Sequence, residues 1–421
     1  MKNITAVVLA AGLGTRMKSE MPKVLHKLGA MTILGRTIHS LKEAGVTDII
    51  VVIGHKADLI EETFKDDGVR FVRQTKLLGS GDALAHAVDY LDKEKGSILV
   101  TYGDTPLILS ETYWKLLQAH NKTKASCTLL TCHLSETPPY GRIVRNKDGK
   151  ILKIVEDKDA TYEEKKITEI NVGTYCFRNA HLKEHIKDIE INKKKKEFYL
   201  TDIADIFVQN GKKVVSEHCS GEEAIGINTR ADLAVANKII NKRTLQKLME
   251  SGVEITDPDT TFIDERVEIA KDTTILPSTV IEKDVKIASW CKIGPFARIR
   301  PGTTIAAGVE IGNYVEICRT EIGSGTKVKH HTYLGDTTVG RNVNIGAGTI
   351  TANYDGKDKY KTIIEDDAFI GVGVTLIAPV KVGKGATVGA GSVVTKNKDV
   401  PEGETVIGVP AKPYKAKKEL Q

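Results

Sequence analysis

Long apolar runs are absent from this 421-residue sequence, and none approaches the ~18 residues that a membrane-spanning helix needs. With 41% hydrophobic and 28% charged residues, the composition is that of an ordinary globular protein. Membrane-spanning and disordered classes are therefore excluded. Because one apolar core rarely grows past ~250 to 300 residues, the length predicts two or three domains.

Closely spaced cysteines are also absent. The six cysteines are scattered along the chain without a Cys-x-x-Cys pair, which argues against a structural zinc site and against a disulfide framework. The N-terminus runs directly into a strand-like segment, without the charged and apolar regions of a secretory signal. We therefore expect reduced thiols and a cytoplasmic location.

Aromatic residues make up only 5% of the chain and do not alternate with basic residues, as a surface that stacks nucleic-acid bases requires. A nucleic-acid partner is therefore not expected. The net charge of +6 comes from residues 1–250, since acidic and basic residues balance beyond that point. This surplus fits phosphate-bearing substrates, and it fits equally well a solvated surface of mixed charge.

The first ~230 residues alternate short β-rich runs with amphipathic stretches, as strand and crossover-helix units do. Segments 6–9, 48–53 and 97–101 predict buried parallel strands, and segments 33–44 and 82–91 predict helices between them. We predict a doubly wound, Rossmann-like α/β domain over residues 1–228. A helical spacing of apolar residues then predicts a linker helix over residues 229–252.

Beyond this helix, aliphatic residues recur every six positions. They are Ile263, Ile269, Ile275, Ile281, Ile287, Ile293, Ile299, Ile305, Ile311 and Ile317, and then Ile364, Ile370, Leu376, Val382, Val388 and Val394. This period is typical of a parallel β-helix, in which three hexads form one triangular coil. We predict a β-helix over residues 253–421, with the polar segment 351–361 leaving it as a loop.

A glycine-rich turn follows the first predicted strand. Gly12 and Gly14 allow backbone N–H groups to surround phosphate oxygens, and Arg16 and Lys23 add positive charge at short fixed offsets. The turn has neither the G-x-G-x-x-G nor the Walker spacing. It predicts a nucleotide-binding loop of another type.

Asp104 follows the predicted strand that ends near Thr101, in Tyr102-Gly103-Asp104. Ligands of open α/β sheets collect outside the carboxyl ends of the strands, where a carboxylate can hold a magnesium ion against phosphates. A simple Gly-Asp turn is the alternative. The neighbouring phosphate loop favours the magnesium site.

Several strings together resemble a known family. They are LAAGLGTRM from residue 9, MPKVLH from 21, YGDTPL from 102, YGRI from 140, VEDKDA from 155, EINVG from 169 and YLTD from 199. With the hexapeptide half, they resemble the bacterial bifunctional N-acetylglucosamine-1-phosphate uridylyltransferase and glucosamine-1-phosphate N-acetyltransferase. The resemblance covers essentially the whole chain and implies that the β-helix is left-handed.

The resemblance implies a set of nucleotide and sugar contacts in the N-terminal half. Leu9, Ala10, Ala11, Gly12, Gly14, Tyr102 and Gly103 fall in its nucleotide loop and strand end, Arg16 and Lys23 on its phosphates, Gln74, Gly79 and Ser80 at its uracil, Gly141, Glu156 and Asn171 at its N-acetyl sugar, and Asp104 and Asn228 at its magnesium ion. Asp82 stands where the family usually has a histidine.

The string from Lys329 to Asp336 resembles the family segment whose histidine is the general base, and by position that base is His330. The neighbouring His331 is expected to face the opposite way along an extended coil. The positions implied for the amino-sugar phosphate and acetyl-CoA are Arg300, Tyr333, Asn344, Ala347, Asn353, Tyr354 and Ala390.

Three positions depart from the family in this half. Cys318 stands where it usually has a lysine for the sugar phosphate, Val372 where it has a serine near the thioester, and Gly408 where it has an arginine. Arg319 is adjacent, but one residue along a coil changes the face to which a side chain points.

The resemblance implies an enzyme that acetylates glucosamine 1-phosphate with acetyl-CoA and then transfers uridylyl from UTP, with Mg²⁺, to make the UDP-N-acetylglucosamine of cell-wall synthesis. It also implies a homotrimer without a membrane partner. One alternative is a nucleotidyltransferase with a single activity whose β-helix serves for assembly or regulation. A second alternative, a nucleotide-sugar-binding regulator, would leave Arg16, Lys23 and Asp104 without a purpose.

Overall fold

The computed structural model describes residues 4–91, 96–135, 139–192 and 196–414. The chain forms two compact units, Met1–Asn237 and Lys238–Gln421. Within the described residues, no helix is long and apolar enough to cross a membrane.

The first unit is built on one mixed sheet with the strand order β13-β7-β10-β6-β1-β4-β5, to which β8 and β9 are added beside β10. The strands are β1 (Ile4–Leu9), β2 (Lys27–Leu28), β3 (Met31–Thr32), β4 (Asp48–Ile53), β5 (Arg70–Arg73), β6 (Ser97–Tyr102), β7 (Cys127–His133), β8 (Arg142–Arg145), β9 (Ile151–Val155), β10 (Glu169–Arg178), β11 (Ile191–Asn192), β12 (Glu197–Phe198) and β13 (Val214–His218). β1 pairs in parallel with β4 and β6, whereas β10 runs antiparallel to β6 and β7.

Helices cover both faces of this sheet, and each face has its own apolar core. They are α1 (Ile33–Glu43), α2 (Ala57–Phe64), α3 (Ser80–Val88), α4 (Ser110–Thr123), α5 (Tyr162–Lys165), α6 (Asn179–His185) and α7 (Asp202–Gln209), with 3₁₀ turns at Thr15–Met17, Lys23–Leu25 and Ile186–Asp188. A further helix, α8 (Arg230–Glu250), has residues in both units. The doubly wound, Rossmann-like class is confirmed. The central strands are buried on both sides, as the apolar runs predicted.

The second unit is a β-helix of short strands, which are parallel except for the last one. They are β14 (Glu254–Ile255), β15 (Phe262–Ile263), β16 (Glu268–Ile269), β17 (Thr274–Ile275), β18 (Val280–Ile281), β19 (Lys286–Ile287), β20 (Lys292–Ile293), β21 (Arg298–Ile299), β22 (Thr304–Ile305), β23 (Glu310–Asn313), β24 (Glu316–Cys318), β25 (Glu321–Ile322), β26 (Lys327–His330), β27 (Tyr333–Gly335), β28 (Thr337–Val339), β29 (Asn344–Ile345), β30 (Ile350–Ala352), β31 (Thr362–Ile364), β32 (Phe369–Ile370), β33 (Thr375–Ile377), β34 (Val380–Val382), β35 (Thr387–Val388), β36 (Val393–Val394), β37 (Thr405–Ile407) and β38 (Lys412–Pro413).

From β14 to β36 these strands stack into three sheets, each taking every third strand, so that one coil contributes one strand to each sheet. β37 then pairs with β35, and β38 pairs with β37. The first sheet begins β14-β17-β20, the second β15-β18-β21 and the third β16-β19-β22. All the aliphatic residues of the hexad repeat are buried and form one continuous stack. The hexapeptide β-helix is thus confirmed, and its stacked parallel sheets are those of the left-handed type.

The hexad repeat is interrupted between β30 and β31. The chain leaves the coil after Ala352 and returns at Thr362, with a single bridge between Tyr354 and Lys359 inside the excursion. The polar loop predicted for 351–361 is therefore observed over 353–361, whereas Thr351 and Ala352 still belong to β30. Its apolar neighbours on either side keep their places in the stack.

Candidate active sites

The N-terminal site lies at the carboxyl ends of β1 and β6. The Gly103 N–H donates to the Leu9 carbonyl at 2.9 Å, and the Ala10 N–H donates to the Val52 carbonyl at 2.8 Å, so the backbone is fixed where the glycine-rich turn begins. A cavity of about 740 Å³ opens there. Of the residues predicted for this half, it is lined by Leu9, Ala10, Ala11, Gly12, Gly14, Arg16, Lys23, Gln74, Gly79, Ser80, Tyr102, Asp104, Glu156 and Asn228.

Gly14 has two reasons to be glycine. Its φ of +64° is the left-handed conformation, and a Cβ placed on it would lie 2.7 Å from the Cβ of Lys23. The turn and the short helix that carries Lys23 therefore pack against each other without a side chain between them. Lys23 reaches the cavity as a result.

Four polar side chains meet at one end of the cavity. The Lys23 ammonium forms an ion pair with Asp104 and lies 3.2 Å from Asn228 Oδ1, and the Arg16 guanidinium donates to the same oxygen at 2.8 Å. The Ile227 N–H donates to the Asp104 carbonyl at 2.8 Å, which ties Asn228 to the end of β6. The structure thus brings together all four residues predicted for phosphate and metal.

Asn228 is held from the other side by the start of α8. The Asp232 carboxylate accepts the N–H groups of Asn228 and Thr229 at 2.9 and 2.8 Å, and the Asp232 N–H donates back to the Thr229 hydroxyl at 3.2 Å. This reciprocal cap satisfies N–H groups that the first turn of a helix leaves free. It fixes Asn228 immediately before the helix.

Gln74 lines the middle of the cavity, with only 5% of its surface exposed. Its amide Nε2 donates to the Gly79 carbonyl at 3.1 Å and to Asp82 Oδ2 at 2.6 Å. The Ser80 hydroxyl accepts the Leu200 N–H at 3.2 Å, at the start of α3. The three residues predicted to read the base are therefore neighbours.

The far end of the cavity contains Glu156. Its Oε1 accepts the Thr201 hydroxyl at 2.9 Å, and burial raises the pKa of its carboxyl. Burial, with the nearby Glu156 charge, also raises the pKa of Asp202 to about 6. Two carboxyl groups with raised pKa values thus lie side by side at the end predicted for the sugar.

Gly103, Gly141 and Asn171 do not line the cavity directly. The Gly141 carbonyl accepts the Asn171 N–H at 2.8 Å, and a Cβ on Gly141 would lie 3.7 Å from Glu156 Oε1. Asn171 donates its side-chain N–H to the Tyr175 hydroxyl at 2.7 Å. Gly141 and Asn171 form the wall behind Glu156, whereas Gly103 packs against Ala10 and Leu34.

Other lining residues were missed by the sequence analysis. They are Leu13, Thr15, Val24, Leu77, Ala83, Pro139, Asp157, Lys158, Glu197 and Tyr199. Six of them lie inside a quoted string, so membership of a motif is the signal that could have found them. Glu197 lies on a short strand that carried no pattern of its own.

The C-terminal site is centred on His330, an exposed residue at the end of β26. Its Nδ1 lies 3.0 Å from Asn313 Oδ1, and the two residues are register partners on adjacent coils. Asn313 presents its amide oxygen to Nδ1, and an amide oxygen can only accept, so this contact fits the tautomer with its hydrogen on Nδ1 and a free lone pair on Nε2. Asn313 was not predicted, although it precedes His330 by one coil.

A cavity of about 220 Å³ adjoins His330 and is lined by Lys292, Gly294, Pro295, Glu310, Ile311, Gly312, Asn313 and Lys329. The Lys329 ammonium pairs with Glu310 at 2.8 Å and lowers the pKa of that carboxyl. The base therefore adjoins a pocket whose lining includes charges of both signs.

The predicted acetyl-CoA residues follow His330 along one corner of the β-helix. The His331 N–H bonds to the Asn313 carbonyl, the Gly373 N–H to the Ala347 carbonyl and the Gly391 N–H to the Val372 carbonyl, at 2.7 to 3.0 Å. These links define one column, with one residue per coil. It contains Asn313, His330, Ala347, Val372, Ala390 and Gly408, and we name it the corner column.

His331 does not follow the predicted alternation. Its φ of +42° makes it a corner residue rather than an extended one, and its ring packs on the ring of Tyr314 at 5.0 Å between centroids. The prediction was wrong because alternation holds only within a strand. His331 is therefore not simply turned to the opposite face from His330.

The predicted anion clamp lies on the neighbouring sheet. The Arg300 guanidinium donates to Glu316 Oε1 at 2.7 Å, and Tyr333 is the register partner of Glu316 on the next coil. Cys318 is 2% exposed and occupies the same register position as Arg300 one coil earlier. The lost lysine would thus have stood directly beside Arg300.

Arg319 folds back over the position of the lost lysine. One guanidinium nitrogen lies 2.8 Å from Cys318 Sγ, and two others bond to Asp336 at 2.5 and 2.8 Å. Asn353 donates to the same carboxylate. The hydrogen bond from Arg319 lowers the pKa of Asp336. A positive charge is therefore present beside Cys318, already paired with an anion.

The remaining predicted residues lie around this surface. Asn344 is half-buried on β29, in the same sheet as His330, and Tyr354 is exposed at the start of the excursion. The Tyr354 hydroxyl donates to the Gly356 carbonyl at 2.6 Å, which holds the loop tip on itself.

Comparison with known proteins matches both halves of this description. A MobA-like NTP transferase domain matches residues 6–163, and a hexapeptide repeat of succinyl-transferase matches residues 361–396. The protein named bifunctional protein GlmU from Acetivibrio thermocellus is 43% identical over 96% of this chain and 94% of its own length. The proteins of that name from Carboxydothermus hydrogenoformans and Caldanaerobacter subterraneus are 43% and 42% identical over similar shares.

This chain belongs to the GlmU family of bifunctional proteins. Membership makes it a transferase that acts on nucleotide and other small-molecule substrates. The resemblance stated from the motifs is confirmed across the whole chain. The GlmU matches cover the corner column as well as the nucleotide cavity, so they leave neither half of the chain without a relative.

Proposed function

We propose that the chain performs two transfers: acetylation of glucosamine 1-phosphate by acetyl-CoA at the corner column, and uridylyl transfer from UTP to N-acetylglucosamine 1-phosphate at the N-terminal cavity. The family gives the pair of activities. The observation that carries the proposal for this chain is the presence of two separate polar sites, one around Arg16, Lys23 and Asp104 and one around His330.

For uridylyl transfer, an oxygen of the sugar phosphate attacks the α-phosphorus of UTP while the bond to pyrophosphate breaks. The glycine-rich turn offers backbone N–H groups to the phosphates, and Arg16 and Lys23 stabilise the charge that develops on them. Gln74 reads the base, and Glu156 lies at the sugar end.

Asp104 and Asn228 fit a magnesium ion. Both offer oxygen atoms, the donors that Mg²⁺ prefers, and in this structure both contact the same cation, the ammonium of Lys23. A bound Mg²⁺ would neutralise phosphate charge there. Lys23 would then be released toward the phosphates.

For acetyl transfer, the amine of glucosamine 1-phosphate attacks the thioester carbonyl carbon, and the bond from carbon to sulfur breaks. His330 Nε2 takes the proton from the amine and delivers it to the departing thiolate. Asn313 acts as a positioning residue, because its bond to Nδ1 fixes the ring with Nε2 free. Arg300 attracts the sugar phosphate.

We further propose that acetyl-CoA lies along the corner column and that the active unit is a homotrimer. The column places Ala347, Val372 and Ala390 at successive heights above His330. Small side chains at Ala347 and Ala390 leave room for a ligand beside the backbone. Hexapeptide acyltransferases commonly build such sites between neighbouring subunits, which supports the trimer.

One assay tests both activities. Purified protein is incubated with glucosamine 1-phosphate, acetyl-CoA, UTP and Mg²⁺, and the release of CoA and of pyrophosphate is followed separately. We expect both products, with pyrophosphate dependent on prior acetylation. Pyrophosphate from supplied N-acetylglucosamine 1-phosphate without any CoA release would instead support the nucleotidyltransferase with one activity, the reading that Cys318, Val372 and Gly408 favour.

A further inference from the structure

We infer that Asp82 is a positioning residue that makes the nucleotide site select bases with an imide N–H, such as uracil and thymine, over cytosine. The inference rests on the proposed uridylyltransferase function. It concerns a residue at which this chain departs from its family's usual histidine.

Both hydrogen-bond partners of the Gln74 amide nitrogen are obligate acceptors. Nε2 donates to the Gly79 carbonyl oxygen and to Asp82 Oδ2. Neither a carbonyl nor a carboxylate can donate, so a rotated amide would place its oxygen against two other oxygens. The amide orientation is therefore fixed by chemistry.

The fixed orientation leaves one atom of Gln74 for a ligand. Both hydrogens of Nε2 are used, so Oε1 is the amide atom that remains available in the cavity. Oε1 can only accept. It matches the N3–H of uracil or thymine, whereas the N3 of cytosine carries a lone pair and would face Oε1 without a hydrogen between them.

The position of Asp82 favours this orientation of the Gln74 amide. It lies in the first turn of α3, where the helix dipole favours a negative charge. Its Oδ2 faces Gln74, while its other oxygen lies 3.7 Å from Nδ1 of His86, one turn further along the helix. Asp82 does not line the cavity, so it acts on the base only through Gln74.

The low exposure of Gln74 makes the loss of one of its hydrogen bonds costly. Gln74 is 5% exposed, so an unpaired amide group there is not compensated by water. A site with a buried, oriented acceptor rejects a ligand that cannot donate to it far more strongly than an apolar pocket rejects a change of shape. Base selection should therefore depend on Asp82 although it never touches the base.

The test is the ratio of kcat/KM for UTP to that for CTP, with N-acetylglucosamine 1-phosphate and the full chain. In Asp82→Asn the new amide can donate as well as accept, so only the Gly79 carbonyl still opposes rotation of the Gln74 amide. We expect the ratio to fall about 10- to 100-fold, as for loss of one charge-assisted hydrogen bond, mainly through KM. Asp89→Asn, the same charge change at the exposed end of α3, should leave the ratio unchanged.

A double-mutant cycle tests the contact itself. Gln74→Glu places a carboxylate against Asp82. It should therefore lower kcat/KM for UTP far more in the wild-type background than in Asp82→Asn, whose amide can donate to the new carboxylate. Additive effects of the two changes, or an unchanged UTP:CTP ratio in Asp82→Asn, would overturn the inference.

The wild-type enzyme supplies a test that needs no variant to fold. 5-Methyluridine triphosphate keeps the N3–H and should be used, whereas 3-methyluridine triphosphate lacks it and should be used at least ~100-fold less well. Equal use of both analogues would refute the role of Gln74 as a fixed acceptor. Absence of any product from UTP would instead count against the proposed function, so the two failures are distinguishable.

Discussion

The ammonium of Lys23 is paired with the carboxylate of Asp104, so the cation expected to bind phosphate and the anion expected to bind metal satisfy each other in the free protein. The contact also reaches Asn228. When nucleotide and Mg²⁺ bind, two new pairs must replace the Lys23–Asp104 pair: Lys23 with phosphate, and Asp104 with the metal. The charges of Lys23 and Asp104 therefore cancel each other until both ligands arrive.

Asp104→Asn should lower pyrophosphate release at least ~100-fold, because the variant loses a metal ligand and leaves Lys23 without its anion. The measurement is pyrophosphate formation over a range of Mg²⁺ concentrations. CoA release by the same preparation is the internal control, since it depends on the other unit. Near wild-type turnover, or activity that persists with a chelator, would refute the metal assignment.

His330→Ala should lower CoA release ~100-fold or more and leave pyrophosphate chemistry unchanged. Asn313→Ala should have a smaller effect and should move the acid limb of the pH profile of kcat/KM for acetyl transfer, because it frees the ring to change its tautomer. Glu321→Ala, at an exposed residue of the neighbouring sheet outside the proposed site, is the comparison variant. An Asn313→Ala profile that coincides with that of the wild type would rule out the positioning role.

Cys318→Lys should lower the KM for glucosamine 1-phosphate several-fold with little change in kcat, because it adds a positive charge beside Arg300. Cys318→Ser tests the loss of the thiol without a gain of charge and should behave as the wild type. The kinetics of CoA release with varied sugar phosphate provide both constants. If the lysine variant gave an unchanged KM, Arg319 would already supply the charge.

Asp202→Asn should stabilise the protein at neutral pH but not in acid. The pKa of Asp202 is raised to about 6 in the folded state, above the ~3.9 of an unfolded chain, so the folded state binds the extra proton between these values. Ionisation therefore costs stability progressively as the pH rises from about 4 to about 6. The difference in Tm between variant and wild type should be largest above pH 6 and disappear near pH 4.

The molar mass of the assembly in solution tests the proposed homotrimer. We expect light scattering to give a mass near three times the 46.0 kDa of one chain. The mass should be independent of dilution over the range used for assays, since a site shared between subunits would lose activity on dissociation. A particle of one chain at working concentration would refute the trimer.

The sequence predicted what periodic patterns determine. The sixfold spacing from Ile263 to Ile317 defined the stack before any coordinates, since one buried residue per hexad leaves little freedom. The strand from Asp48 to Ile53 was predicted to the residue. The site residues came from motifs, and the structure joined Arg16, Lys23, Asp104 and Asn228 at one end of a cavity.

What the sequence could not give were contacts between distant, unpatterned residues. Asn313 beside His330 and Asp232 beneath Asn228 depend on register and on a helix cap, neither of which marks the partner in advance. His331 was misplaced for a related reason, because a corner residue at positive φ does not follow strand alternation. Pairings such as Arg319 with Asp336 likewise require the coil geometry.

The residues of the corner column are also regularly spaced along the β-helix. Adjacent strands in a sheet are ~4.8 Å apart, so Ala347, Val372, Ala390 and Gly408 mark four steps above His330, a length of roughly 19 Å. Each of these residues can be substituted without displacing the others, because the buried aliphatic stack fixes the spacing between coils. Evolution could therefore change the contacts to a long acyl donor at one position of the column without changing the residues around His330.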